Sequence, residues 1–180
     1  ERYRHEWSLG LQNRFFENNV DFMSMLPIGV DVRSFPITVS YRGSYVADNW
    51  SASFTGAYSR NLEIKDRNDP ISYALNRAGA ETDWDLITIS GNLTYQFANG
   101  WLGRGYLDGQ WAGEALIPGE QYGLGGWRSV RGLDERSVTG DNGLRGTVEA
   151  WTPAIAQLFD LRLVAFFDIG FRDREKPQVG

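Results

Sequence analysis

The sequence predicts an all-β fold: an antiparallel transmembrane β-barrel, of which about seven strands are present. Three observations lead there. Polar and apolar residues alternate with a period of two through seven segments, most of them long enough to cross a bilayer as a tilted strand. The loops between them sort by length, long at 16–35, 63–82 and 113–143, short at 47–48 and 98–100, and moderate at 153–159. Outer-membrane barrels have this asymmetry, with short periplasmic turns and longer external loops. Aromatic residues also gather near strand ends, at Tyr3, Trp50, Phe97, Trp101, Trp111 and Phe171, where a bilayer interface favours rings. A soluble β-sandwich can alternate as cleanly, with its polar face outward, and the pattern alone leaves it open.

Each strand is read from its alternation. In the first, 3–15, Tyr3, His5, Trp7, Leu9 and Leu11 share one face, and Arg4, Glu6, Ser8, Gln12 and Arg14 the other. The second and third form a hairpin around Ala47-Asp48: Ile37, Val39, Tyr41 and Tyr45 oppose Thr38, Ser40, Arg42 and Ser44, and Trp50, Ala52, Phe54 and Tyr58 oppose Ser51, Ser53, Thr55 and Ser59. In the fourth, 83–97, Ile87, Ile89, Leu93, Tyr95 and Phe97 oppose Thr88, Ser90, Asn92, Thr94 and Gln96. Asn99-Gly100 then turns the chain, because both residues tolerate positive φ. The fifth, 101–112, sets Trp101, Leu107, Trp111 and three glycines against Arg104, Tyr106, Asp108 and Gln110. The sixth spans 144–152. The seventh, 160–171, places Leu161, Leu163, Ala165, Phe167, Ile169 and Phe171 opposite Asp160, Arg162, Val164, Phe166, Asp168 and Gly170.

Composition supports β structure and excludes several functions. The 180 residues suit one domain; 14% are aromatic and 21 are glycine, against a usual glycine share of roughly 7%. No run approaches the roughly 18 apolar residues that a membrane helix requires. The formal charge is −5 and no basic cluster appears, so a nucleic-acid partner is not expected. The absence of cysteine excludes disulfides and thiolate metal sites. The opening ERYRHEWSLG lacks a signal peptide's apolar core and reads as mid-strand, so the chain is expected to be part of something longer.

The segment 121–143 is neither strand nor helix by pattern, and it holds six of the 21 glycines. Its Leu124, Trp127, Val130 and Leu133 are poor company for a solvated linker, which makes it a functional loop. Catalytic and metal chemistry find little footing elsewhere. The single histidine, His5, lies on an apolar face and reads as a packing or interface residue. Asp66, Asn68 and Asp69 lack the remaining spacing of a calcium loop and read as a solvated loop. Gly123, Gly125 and Gly126 do not complete a dinucleotide fingerprint. Three charged residues do belong together. Arg131 lies within Val130-Arg131-Gly132-Leu133, while Glu149 and Asp168 lie on the polar faces of the last two strands. If that face is a lumen, a loop folded into it brings Arg131 to both carboxylates, which its planar fork suits. Independent wetted charges are the alternative.

LGGWRSVRGLDERSVTGDNG, followed by FFDIG, resembles the signature of the two-partner secretion transporters. This is the haemolysin and filamentous-haemagglutinin secretion family, within the superfamily of POTRA-bearing outer-membrane translocators and insertases. QWAGEALIPGEQYGLGG resembles that family's approach to its sixth external loop. The likeness covers 110–172, and the earlier strands fit by pattern. It implies a 16-stranded barrel, with these strands as the seventh to thirteenth, and a loop folded into the lumen. Carried over by motif, the loop residues are Val130, Arg131, Gly132 and Leu133, and the strand motif is Phe166, Asp168 and Gly170. Asp168 is the anchoring acid and Glu149 a looser match. Leu133 departs from the family's Phe or Tyr, which weakens aromatic anchoring at the loop tip. The whole of 1–180 is then a partial barrel without its POTRA domains, first strands and last three strands. The implied function is export of one large unfolded haemolysin or adhesin across a bacterial outer membrane. It calls for no catalysis, cofactor or metal, and its partners are the exoprotein and outer-membrane lipid. The alternatives are a barrel-assembly insertase of the same superfamily, which templates new barrels at a strand edge, and a structural or adhesive barrel without transport. The segment 137–143 looks more like the secretion branch.

Overall fold

The computed structural model describes residues 2–17, 30–64, 66–154 and 161–175, with the backbone alone of 21–22 and 26–27. In chain order the elements are β1 (Arg2–Leu11), β2 (Arg14–Phe16), β3 (Asp21–Phe22), β4 (Leu26–Pro27), β5 (Val32–Ser34), β6 (Pro36–Val46), β7 (Trp50–Asn61), α1 (Pro70–Asn76), β8 (Asp85–Gln96), β9 (Leu102–Ala112), β10 (Tyr122–Leu124), β11 (Val138–Gly140), β12 (Asn142–Trp151) and β13 (Val164–Asp173). Seven of these strands form one sheet in the order β1-β6-β7-β8-β9-β12-β13, with every neighbouring pair antiparallel.

The register carries the alternation across the whole sheet. Val39 stands beside Leu9 and Tyr58, Tyr58 beside Ile87, and Ile87 beside Trp111; Leu107 stands beside Gly146, and Gly146 beside Ile169. One face is therefore apolar from edge to edge, and its rings pair across strands, Trp7 with Tyr41 at 4.9 Å and Tyr45 with Trp50 at 4.7 Å. His5 belongs to this face, stacked on Tyr3 at 5.7 Å. On the opposite face Ser8 meets Ser40 at 2.6 Å, Thr38 meets Ser59 at 2.8 Å, and Asn92 donates to Ser53 at 2.7 Å. A one-residue slip would exchange the two faces, so the apolar pattern fixes the pairing.

Several sequence expectations change at the strand ends. The first strand leaves the sheet at Leu11 and does not continue to residue 15. The last pair of its ladder is Leu11 with Ile37, Gln12 makes one further backbone bond to Pro36, and Arg14–Phe16 then pairs with Val32–Ser34 in a separate ribbon. The seventh strand begins at Val164 and runs on to Asp173; Asp160 lies outside the described residues. At Asn99-Gly100 only Gly100 takes positive φ, at 83°. Phe97 bonds to Trp101 around it, giving a three-residue turn in which glycine alone avoids the steric penalty.

The segment expected as a solvated loop at 66–69, at the end of the sheet with the long loops, is exposed at Asp66 and Arg67 but not at Asn68. Asn68 is fully buried and donates to the Leu62 carbonyl at 2.6 Å. Asp69 caps α1, accepting from the amides of Ile71 and Ser72 at 3.1 and 3.0 Å, and these bonds, that of Ser72 foremost, hold its carboxyl below the ordinary range. Among the described residues no group of three His, Cys, Asp or Glu is placed to hold a metal. The buried apolar cluster also sits at this end, where Val32, Tyr73, Trp84, Leu86, Leu116 and Ile117 pack together with Phe16 against them. Asn61 ties it to the sheet. Its side chain accepts from the Phe35 amide at 2.7 Å and donates to Asn68 at 2.9 Å and to the Thr82 carbonyl at 2.7 Å. Asn61→Ala leaves these buried groups without their partner and is expected to cost about 1–3 kcal/mol, read as a lower urea midpoint for unfolding of the full-length protein in detergent.

Candidate functional site: a loop fastened to the polar face

The loop between β9 and β12 is ordered by its own backbone. Tyr122 to Leu124 pairs with Val138 to Gly140 as a short ribbon, and the Gly126 amide bonds to the Leu133 carbonyl at 2.9 Å beyond it. The ribbon was not legible in the sequence because Gly123, Gly125 and Gly126 interrupt any alternation. It lies against the polar face of β9, β12 and β13, and it is fastened there from foot to tip.

At the foot, Gln110 donates to the carbonyls of Glu120 and Asp141 at 2.9 and 3.2 Å. Next, the Tyr122 hydroxyl donates to the Asp108 carboxylate at 3.1 Å, and burial raises the proton affinity of this phenol, so it stays a donor at physiological pH. Arg145 bonds to Asp108 and reaches the carbonyl of Arg128 at 2.6 Å. At the tip, Arg131 grips Asp168 three ways, through its amide at 3.0 Å, Nε at 2.8 Å and one terminal nitrogen at 2.8 Å. Its other terminal nitrogen donates to Glu149 at 2.8 Å, and its guanidinium lies 3.5 Å from the centre of the Phe166 ring. Bidentate carboxylate binding and ring stacking together use the geometry that distinguishes arginine from lysine.

Both acids are held in turn. Thr147 donates to Asp168 at 2.9 Å, and the Trp151 indole donates to Glu149 at 2.9 Å. Asp168 is almost enclosed, with 4% of its side chain exposed, against 25% for Arg131. Val130 and Leu124 press on Gly170, where an added Cβ meets them at 2.9 to 3.1 Å. Gly170→Val is therefore expected to push the loop off the wall at a cost of about 1–3 kcal/mol, measured as faster protease nicking between 125 and 137 in the full-length protein. Leu133 is half-exposed.

Composition and pattern missed a second set of contacts at the outer rim. Asp141 is fully buried and accepts two bonds from Arg77, at 2.5 and 2.9 Å, with others from the Leu116 amide, Gln121 and the Glu175 amide at 3.0, 3.1 and 2.9 Å. Burial alone would raise this carboxyl, but Arg77, Gln121 and the Leu116 amide hold it below the ordinary range. The two residues are 64 positions apart, and nothing periodic links them. The only signal was a charged residue inside Gly140-Asp141-Asn142-Gly143 at a strand start.

An antiparallel sheet apolar on one face, with short turns at one end and a long loop bound to its polar face, has the make-up of part of an outer-membrane β-barrel. The comparisons with known proteins agree. A family profile described as haemolysin secretion/activation protein ShlB/FhaC/HecB matches residues 31–179, and the chain belongs to this family. It resembles the solved structure of CdiB from Escherichia coli with a TM-score of 0.71 at 18% identity, over 97% of this chain and 33% of that one. CdiB from Acinetobacter baumannii matches with a TM-score of 0.66 at 16% identity, over 97% and 30%. This chain thus spans about a third of those structures. No curated protein matches it. The chain is part of an outer-membrane β-barrel of this family.

Proposed function

We propose that the full-length protein exports one large unfolded exoprotein, of the haemolysin or adhesin type, from periplasm to cell surface. In this reading POTRA domains preceding the barrel capture the exoprotein, the apolar face of the sheet meets lipid, and Arg131 with Asp168 and Glu149 keeps the loop in the lumen until the exoprotein arrives. The observation that carries it is the manner of attachment: the loop is held to the polar wall mainly by hydrogen bonds and the Arg131 ion pair, with Leu124 and Val130 packed on Gly170 beside them. These contacts join loop to wall and none of them belongs to the strand ladders, so the plug can leave, at the cost of the Arg131 ion pair, without unfolding the sheet. No chemistry is assigned to the site, and the single histidine stacks among tyrosines on the opposite face.

Depletion of the native full-length protein tests this reading. Normal levels of other folded outer-membrane barrels, with one large protein lost from the medium, is the expected result. General loss of folded barrels would identify an insertase, and no change in either would leave a structural or adhesive barrel.

A further inference from the structure

Between the loop tip and the wall formed by β8, β9 and β12 lies a cavity of about 510 Å³ whose lining includes Asn92, Arg104, Tyr106, Trp127 and Arg128. Four arginines border it, and two of them are neutralised, Arg131 by Asp168 and Glu149 and Arg145 by Asp108. Among the described residues the guanidinium groups of the other two meet ring faces. Arg104 lies 4.9 Å from the Trp151 ring and Arg128 4.4 Å from that of Trp127, and neither forms an ion pair among the described residues. Glu149 stands opposite Arg104 in the register and accepts from Arg131 and the Trp151 indole, with no ion pair to Arg104 among the described residues. Three carboxylates, Asp108, Glu149 and Asp168, stand against the four arginines, so the site keeps one net positive charge, on the side of Arg104 and Arg128, in a chain whose net charge is −5. Trp127 is 74% exposed beside them, and its ring is covered on one side by the Arg128 guanidinium.

We propose that this cavity is a contact site for an extended acidic segment of the transported polypeptide, with Arg104 and Arg128 binding its carboxylates and Trp127 and Tyr106 supplying ring faces. Guanidinium groups take carboxylates through paired charge-assisted bonds, and exposed rings take many side chains without demanding a sequence. The Asn92 side chain adds a polar group suited to a passing backbone. A basic segment would meet the same positive charge as repulsion. The proposal rests on the export reading and names the part of the lumen wall that export would use.

The test uses the full-length protein in lipid nanodiscs, with a photo-crosslinking phenylalanine analogue in place of Tyr106 or, in a second variant, of Ser40 on the polar face of β6. The probes are two unfolded synthetic peptides, one of alternating Asp, Gly and Ser and one with Lys for Asp, each applied with Arg131 intact and with Arg131→Ala. At Tyr106 the acidic peptide is expected to crosslink about tenfold more than the basic one, and the preference is expected to vanish in Arg104→Ser/Arg128→Ser. Equal crosslinking of the two peptides, or a preference that survives the double substitution, would overturn the proposal. Crosslinks at Ser40 but not Tyr106 would also overturn it while leaving export through the lumen standing. Absence of crosslinks at both positions, even with Arg131→Ala, would count against the export reading itself.

Discussion

Arg131→Ala is expected to release the loop tip from the wall while the sheet stays folded. The substitution removes the Nε and both terminal nitrogens at once and leaves Asp168, 4% exposed, with only Thr147 and the Arg131 amide as partners. Stripping one member from a dry ion pair costs about 3–5 kcal/mol, and an exposed pair contributes only about 0–1 kcal/mol. Arg131 is a quarter exposed and Asp168 nearly enclosed, which places the loss toward the upper range. Arg136→Ala is the comparator. Arg136 is exposed and donates to the carbonyls of Gln121 and Pro118 at 3.0 and 3.4 Å, bonds that contribute about 1 kcal/mol. Ser129, buried beneath the tip, reports the result. In the full-length protein, Ser129→Cys is expected to react with a water-soluble maleimide far faster beside Arg131→Ala than beside Arg136→Ala. Equal, small changes would show that Arg131 does not hold the loop.

Arg77→Met is expected to open the external rim. It leaves the Asp141 carboxylate buried with Gln121 and the amides of Leu116 and Glu175, again at a cost of about 3–5 kcal/mol. Apolar replacement of both partners, Arg77→Met with Asp141→Leu, is expected to be milder than Arg77→Met alone, because no charge is then stranded. Protease cleavage within 113–121 on intact cells measures the difference; a double variant as sensitive as the single one would contradict it. The same carboxylate gives the rim a pH dependence. Its folded value is depressed, so its contribution is present above the unfolded carboxylate value of about 3.9 and is lost as the pH falls through the folded value. Rim protection is expected to hold from pH 8 to 5 and to weaken below about pH 4.

The strands were legible because a period of two survives in each of them, and β8 and β12 appear within two residues of their expected limits. The break after Leu11 was not, since alternation continues through Arg14 while the ladder stops beside Pro36. Burial of Asn68 was equally hidden, because an asparagine in a polar run reads as solvated until the Leu62 carbonyl and Asn61 are seen to surround it. Of the site, Arg131, Glu149 and Asp168 were legible through motif and strand parity together. Thr147 and Trp151 hold the same carboxylates, but nothing in their spacing marked them as hydrogen-bond partners. Arg77 and Asp141 meet only because α1 folds back over the rim, a contact that no local pattern encodes.

The most direct test of the account is a residue-by-residue footprint of the full-length protein in outer-membrane vesicles with a lipid-soluble diazirine, read by mass spectrometry along β8 and β12. Adducts are expected on Ile87, Ile89, Leu93, Leu144 and Val148, with none on Thr88, Ser90, Asn92, Arg145 or Thr147. Adducts on both faces, or on the polar one, would mean that the polar face is not a lumen and that the loop fastened to it is not a plug.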